Sequence, residues 1–189
     1  MGMINPSKQE IFMKAIATAI TVLALASTAA MAQSPYAGMQ GRSIKALSAQ
    51  QIDDLKAGKG MGLALAAELN GYPGPMHVLE LSDKLALSAA QKQRIQTLFE
   101  TMKAEATPIG LSLIGQESAL DRQFANRSIT SDALREATTK IGQTQAELRN
   151  AHLKYHLETA QILLPDQMKQ YAQLRGYASD SPARHHRMH

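Results

Sequence analysis

The second half of the chain carries two long stretches in which apolar residues recur at steps of three and four. At the start of the first, Ser88 stands at a helix-capping position and Gln91 follows three residues later, which is the spacing of a capping box. Pro108 interrupts the pattern and predicts a bend near residues 106–110. We therefore predict a helix from Ser88 to about Asn126. Its buried stripe is Ile95, Leu98, Met102, Ala106, Ile109, Leu113, Leu120 and Phe124.

The second stretch follows a short connection at residues 128–130, and Thr130 or Ser131 is its predicted cap. Its steps alternate between four and three, a heptad rhythm that is typical of packed helices. Because the connection is short, we expect the two long helices to run antiparallel as a helical hairpin. The predicted stripe is Leu134, Thr138, Ile141, Gln145, Leu148, His152, Tyr155, Thr159 and Ile162.

Short helices flank this hairpin. No segment alternates apolar and polar residues over a useful length, so the predicted fold class is all-α.

A hairpin with one narrow stripe buries too little surface to be stable alone. We therefore expect the short helices and a second copy of the chain to cover it, with a homodimer as the stable unit. The predicted short helices are residues 48–56, 61–70 and 76–86 and a last one that begins at Pro165 and is ended by Gly176.

The N-terminal pattern predicts export. An apolar run, residues 15–29, follows Lys14 and leads into Ala30-Met31-Ala32, which has the small-x-small form of a signal-peptidase site. The run is short for a membrane span, although an uncleaved anchor is the alternative, and the start codon could be Met1 or Met13. We expect a periplasmic protein with a cleaved signal peptide (1–32), a mobile leader with a short helix (33–59), a hairpin domain (60–177) and a disordered basic tail (178–189).

Composition excludes several function classes. The chain has no cysteine, which excludes thiolate zinc sites and cysteine nucleophiles. Its 20 Lys and Arg against 16 Asp and Glu give a net charge of +4, too small and too dispersed for a nucleic-acid surface. Gly58-Lys59-Gly60 lacks the spacing of a phosphate-binding loop, and no hydrolase or metalloprotease motif occurs. We therefore expect no enzyme and no nucleic-acid partner.

Histidines supply the candidate metal chemistry. His152 and His156 are four residues apart, so they share a helical face and can chelate one ion. In an antiparallel hairpin, residues at equal distances from the connection lie opposite each other, and this reflection puts Glu105 opposite His152 and Met102 opposite His156. His77 could join them from the preceding short helix. This donor set suits a borderline divalent metal such as zinc, nickel, cobalt or copper. The alternative is that His152 is a seam residue that hydrogen-bonds Glu105.

The C-terminal tail holds a second group of donors. His185, His186 and His189 accompany Met188 within five positions and can bind soft or borderline metals weakly. Binding there would first have to order the segment, which limits its affinity. The alternative is a solvated basic tail.

Two short motifs carry a family resemblance. Leu87-Ser88-Ala89-Ala90-Gln91 and Leu163-Leu164-Pro165-Asp166-Gln167 open two predicted helices. They resemble the L-T-x-x-Q boxes of the Spy/CpxP family of periplasmic proteins, which includes zinc-resistance-associated proteins and nickel and cobalt sensors. Leu164 replaces the family's capping threonine. The resemblance covers about residues 76–177.

The resemblance implies an all-helical curved homodimer that needs no cofactor. It implies an ATP-independent chaperone that binds unfolded periplasmic proteins through mixed apolar and charged surface, or an envelope-stress protein. The alternative is a heavy-metal sensor or resistance protein that signals to a membrane sensor or an anti-sigma partner. In the metal-sensing relatives the His and Met ligands of the long helix fall at positions occupied here by Tyr155 and Thr159. His156 is one place out of that register.

Overall fold

The computed structural model describes residues 34–177. The predicted signal peptide and the histidine-rich tail lie outside these residues. The chain divides into two compact units, and the boundary between them in the sequence falls after Gln40. Residues 35–38 form a turn, in which the Ala37 amide donates to the Ser34 carbonyl, and a short 3-10 helix, Met39–Gly41, follows.

The described part of the second unit consists of helices joined by turns and loops. Apart from an isolated bridge between Ile44 and Leu47, residues 34–177 contain no β-structure, so the predicted all-α class is confirmed for them. None of the helices in this range is long and apolar enough to cross a membrane. The helices are α1 (Ala49–Lys56), α2 (Leu65–Glu68), α3 (Pro75–Glu80), α4 (Ala89–Ala125), α5 (Ser131–Ala160) and α6 (Pro165–Leu174).

The long helices begin where the sequence predicts. The Ser88 hydroxyl accepts from the Gln91 amide, and the Gln91 side chain accepts in return from the Ser88 amide, which completes a capping box. Thr130 caps α5 by accepting from the Ala133 amide. Pro108 lies inside α4, which continues beyond it to Ala125.

The two box motifs meet in space. Gln167 accepts from the Leu164 amide at the start of α6. The glutamine bond of a capping box is therefore present here, although leucine has no hydroxyl to make the other bond. The Gln91 and Gln167 side-chain amides hydrogen-bond each other at 2.8 and 3.2 Å. Gln167 also donates to the Leu85 carbonyl, so one pair of glutamines ties the starts of α4 and α6 to the loop after α3.

Helices α4 and α5 contact each other through paired residues. Glu105 pairs with Tyr155, and further along α4 Gln116 pairs with Thr144, which lies earlier in α5. Two apolar clusters result. One surrounds Leu55, Ala106, Leu113, Ile141 and Leu148, where α1 packs on the long helices. The other surrounds Val78, Leu85, Ile95, Ile162, Leu163 and Tyr171, where α3 and α6 pack on their ends.

Several expectations about the shorter segments and the stripe are corrected. Helix α1, expected inside a mobile leader, packs on α4 through buried Leu55. The predicted helix over 61–70 shrinks to α2 because Met61 and Gly62 adopt positive φ, and the helix over 76–86 ends at Glu80. On α5 the predicted stripe residues Thr138 and Gln145 are exposed, and Thr144 is buried in the seam instead.

Candidate functional site

A cavity of about 680 Å³ lies between the short N-terminal segments and the long helices. The end of α1, the glycine-rich loop 58–62, α2 and the start of α3 form one side, and α4 and α5 form the other. Arg175 and Tyr177, beyond α6, complete the lining. Among the lining side chains, three histidines and three methionines carry nitrogen or sulfur atoms that can bind a metal ion: His77, His152, His156, Met61, Met76 and Met102.

His152 is buried in the cavity wall, and one of its ring nitrogens has no hydrogen-bond partner among the described residues. Its side chain is 2 % exposed, and no described residue hydrogen-bonds its Nε2 atom. Burial, with the neighbouring His156 as a second cause, lowers the pKa of His152, so the ring is neutral at pH 7. A Cβ atom at Gly60 would lie 3.4 Å from the imidazole, so the glycine lets the backbone lie against this ring. A neutral buried imidazole with an unused nitrogen is a candidate ligand.

His156, one turn further along α5, is held in a defined orientation. Its Nδ1 atom lies 2.7 Å from the Tyr72 carbonyl oxygen, and because a carbonyl only accepts, Nδ1 carries a proton and donates it. Nε2 is therefore the ring nitrogen that is left to bind a ligand. A Cβ atom at Gly74 would fall 2.9 Å from Nε2, so any other residue here would force the ring to shift. Such an Nδ1–H bond to a carbonyl is the outer contact that orients metal-binding histidines.

Glu68 organises the cavity wall behind His156. This buried carboxylate accepts from the Tyr171 hydroxyl at 2.5 Å, from the Tyr177 hydroxyl at 3.1 Å and from the Gly74 amide at 3.1 Å. Arg175 Nε lies 3.6 Å from it, and His156 Nδ1 lies 3.7 Å from it. Burial, then the hydrogen bond to Glu68, raises the pKa of Tyr171 far above its ordinary value, so its hydroxyl remains a donor. Glu68 therefore joins α2, the turn at Gly74 and the chain after α6.

The sequence analysis missed Glu68. A signal was present, because Glu68 is the only acidic or basic residue between Lys59 and His77, in an otherwise apolar and glycine-rich segment. A lone carboxylate in such a segment is either exposed or satisfied by partners, and its partners lie about a hundred residues away.

The structure brings together part of the predicted metal set. Met102, which is buried, and His77 line the cavity with His152 and His156. His77 Nδ1 lies 3.0 Å from the Glu80 carboxylate. Among residues 34–177, no group of three or more His, Asp or Glu side chains is placed to hold a metal ion. His185, His186 and His189 lie outside the described residues.

Glu105 does not face His152 as the reflection predicted. Its carboxylate accepts from the Lys154 ammonium at 2.8 Å and from the Tyr155 hydroxyl at 2.9 Å. The hydrogen bond from Lys154 lowers the pKa of Glu105, and the same bond raises the pKa of Lys154. The difference arises because α5 presents Tyr155 and Lys154 to Glu105, whereas His152 and His156 face the short N-terminal segments.

Five large apolar side chains are exposed on the segments that cover the cavity. We call Met61, Leu65, Leu69, Tyr72 and Met76 the apolar rim, and each is between 40 and 58 % exposed. Leu65 and Leu69 are one helical turn apart, and Met61, Leu65 and Met76 also line the cavity. All five lie within sixteen consecutive positions of the sequence, and each is a large apolar side chain that remains accessible to solvent.

No protein-family model, no curated protein and no solved structure shows a significant match to this chain.

Proposed function

We propose that this chain is a non-enzymatic, ATP-independent chaperone or envelope-stress protein of the Spy/CpxP type, which binds unfolded periplasmic proteins. The observation that carries the proposal is the apolar rim beside a largely apolar cavity. Unfolded chains expose leucine, methionine and aromatic side chains, and a rim of the same types can contact many of them without sequence preference. Lys59 and Glu80, both exposed, add charge of both signs near the rim.

The proposed architecture is a helical hairpin that forms a curved homodimer. The opposed order of the Glu105–Tyr155 and Gln116–Thr144 pairs supports an antiparallel hairpin. Phe124 and Leu134, both predicted seam residues, are 53 and 37 % exposed, which supports their burial against a second copy. Sedimentation velocity at tens of micromolar tests this architecture. We expect a dimer, and a monomer for Phe124→Arg combined with Leu134→Arg; a monomeric parent protein would contradict the dimer.

An aggregation assay tests the chaperone proposal directly. A urea-denatured client is diluted into buffer without nucleotide, and light scattering is followed with and without the protein, purified after export. We expect suppression at a few-fold molar excess, and we expect Leu65→Ser combined with Leu69→Ser to weaken it several-fold. The matched control is Leu157→Ser combined with Leu164→Ser, because these leucines are similarly exposed, at 51 and 61 %, but do not line the cavity.

Two outcomes would count against the proposal. Absence of suppression by the parent protein at tenfold excess would remove the chaperone activity. Equal losses in the rim pair and the control pair would remove the rim as the binding surface, because the activity would then follow general surface hydrophobicity.

A second candidate function is metal sensing or resistance, with a membrane sensor or an anti-sigma factor as partner. The unpartnered Nε2 of His152 and the oriented ring of His156, on one face of α5, support it. Calorimetric titration with zinc, nickel, cobalt and copper tests it. We expect stoichiometric binding by the parent protein, lost when His152→Ala and His156→Ala are combined. Binding that survives in this double variant would exclude the pair as the site.

A further inference from the structure

The donors around the histidine pair are neutral and soft. Met61, Met76 and Met102 line the same cavity as His152 and His156. Met102 is buried, whereas Met61 and Met76 are about 40 % exposed and therefore lie at the cavity entrance. Thioether sulfur is a poor ligand for hard or borderline dications and a good one for Cu(I) and related ions.

The carboxylates in the lining are already engaged. Asp54 pairs with Lys59 at 3.0 Å, and that hydrogen bond is the first cause of its lowered pKa. Glu68 accepts from two tyrosine hydroxyls and a backbone amide. A divalent ion would have to displace these bonds to recruit an anionic ligand, whereas an ion that prefers imidazole and thioether would leave them intact.

The charge of the lining also favours a single positive charge. Three basic side chains line the cavity against two carboxylates, a net charge of +1, and the repulsion of a bound cation by that net charge scales with the charge of the cation; the five are Lys59, Lys103, Arg175, Asp54 and Glu68. With neutral ligands only, a monovalent ion meets half the repulsion that a dication meets at the same position.

Met102 is positioned by the contact between the long helices. Glu105, one turn further along α4, bonds Tyr155, which adjoins His156 in sequence. This bond fixes the turn of α4 that carries Met102 against the turn of α5 that carries the histidines. Of the three methionines that line the cavity, Met102 is therefore the one held in the packed interior of the long helices.

We propose that this cavity binds a soft monovalent cation, Cu(I) or its analogue Ag(I), through the imidazoles of His152 and His156 and the thioether of Met102. The proposal rests on the second candidate function and names the class of ion for it. Met61 and Met76 stand where an ion enters and offer it exchangeable thioether contacts.

The test is a set of titrations on the protein purified after export. Ag(I), which has no redox chemistry under these conditions, is titrated by calorimetry, and Cu(I) is titrated anaerobically against a chromophoric chelator. We expect one tight equivalent of each ion, lost when His152→Ala and His156→Ala are combined. Met102→Leu, which keeps the side-chain volume, is expected to weaken binding at least about tenfold. The control is Met168→Leu, because Met168 packs on the other apolar cluster and does not line the cavity.

Three outcomes would overturn the proposal. Tight zinc, nickel or cobalt binding that Met102→Leu leaves unchanged would exclude the soft-ion assignment while leaving metal sensing intact. Absence of binding by every ion would remove both proposals, and the aggregation assay would still decide the chaperone proposal. Tight Ag(I) binding that survives in the double histidine variant but is lost on deletion of residues 178–189 would place the site in the tail. Circular dichroism of each variant verifies that it folds.

Discussion

Gly110 lies where α1 packs most closely on a long helix. A Cβ atom at this position would lie 2.6 Å from the Leu55 carbonyl oxygen and 3.1 Å from the Leu55 carbonyl carbon. Both distances are well inside the separation of about 3.5 Å at which non-bonded atoms attract each other. The obstructing atoms belong to the backbone, so a side-chain rotation cannot relieve the overlap. We predict that Gly110→Ala separates α1 from α4.

Two opposing effects set the change in the free energy of unfolding of Gly110→Ala. Alanine in a helix interior is favoured over glycine by about 1 kcal/mol. Overpacking at a buried contact costs about 1–3 kcal/mol. Because the overlap is with the backbone, we expect a cost near the upper end and a net loss of about 1–2 kcal/mol in the free energy of unfolding. Gly115, on the same helix, has no atom within 4 Å of its Cβ position, so Gly115→Ala should stabilise by about 1 kcal/mol.

Urea unfolding followed by circular dichroism at 222 nm measures both effects. The variants are compared at one protein concentration, because association with a second copy would shift the midpoint. We expect midpoints on opposite sides of that of the parent protein, with Gly142→Ala, another glycine with an open Cβ position, on the stabilised side. A Gly110→Ala midpoint equal to that of Gly115→Ala would show that α1 does not pack on α4 as described.

Three further predictions concern buried and paired groups. Leu148→Asp should lower the free energy of unfolding by at least about 3 kcal/mol, because it places an unpaired carboxylate in the apolar cluster; unchanged thermal melting would contradict that position. Glu68→Gln should cost about 2 kcal/mol in urea unfolding, because an amide cannot accept every hydrogen bond of the carboxylate, whereas exposed Glu80→Gln should cost less than about 1 kcal/mol. Glu105 has a pKa held below 4.5 by Lys154, so its contribution to stability is present above pH 4.5 and is lost as the pH falls through the folded-state value. Denaturation midpoints between pH 6 and pH 3 should therefore fall less steeply for Glu105→Gln than for the parent protein, and parallel profiles would exclude this contribution.

The long helices could be predicted because their signals are local. Ser88 and Thr130 each accept from a backbone amide three residues later, and a capping bond of this kind depends on a few consecutive residues. The same is true of Pro165, which sits at the first position of α6. The apolar steps of three and four located Ile95, Leu113 and Leu148 in the core, where they are at most 5 % exposed.

The short segments could not be predicted in the same way. The apolar run from Met61 to Leu69 reads as a helix, but Gly58 and Gly62 turn the backbone and the run covers a cavity instead of continuing a core. On α5 the stripe drifts by one position, so Thr144 replaces Gln145 in the seam. That drift depends on how α4 and α5 pack, and periodicity alone does not fix it.

In the candidate site, too, the features set by local sequence could be predicted and those set by tertiary contacts could not. The shared face of His152 and His156 follows from helical geometry and was predictable. Their partners were not, because Tyr72, Glu68 and Gly74 approach from segments whose path depends on tertiary contacts. Reflection of the hairpin put Met102 and Glu105 opposite the pair: Met102 lines the same cavity as the histidines, whereas Glu105 bonds Lys154 and Tyr155 instead.

The hydrogen bonds of Glu68 have a consequence for the order in which the molecule is completed. Its hydroxyl partners, Tyr171 and Tyr177, follow it by 103 and 109 positions along the chain. A nascent polypeptide that has passed Glu68 must therefore leave this carboxylate hydrated until almost all of the remaining residues have been synthesised. Contacts of such large sequence separation form late and slow the final folding step. A half-made chain therefore lacks the contacts that hold α2 against α6, and this part of the cavity wall can be completed only when synthesis is nearly finished.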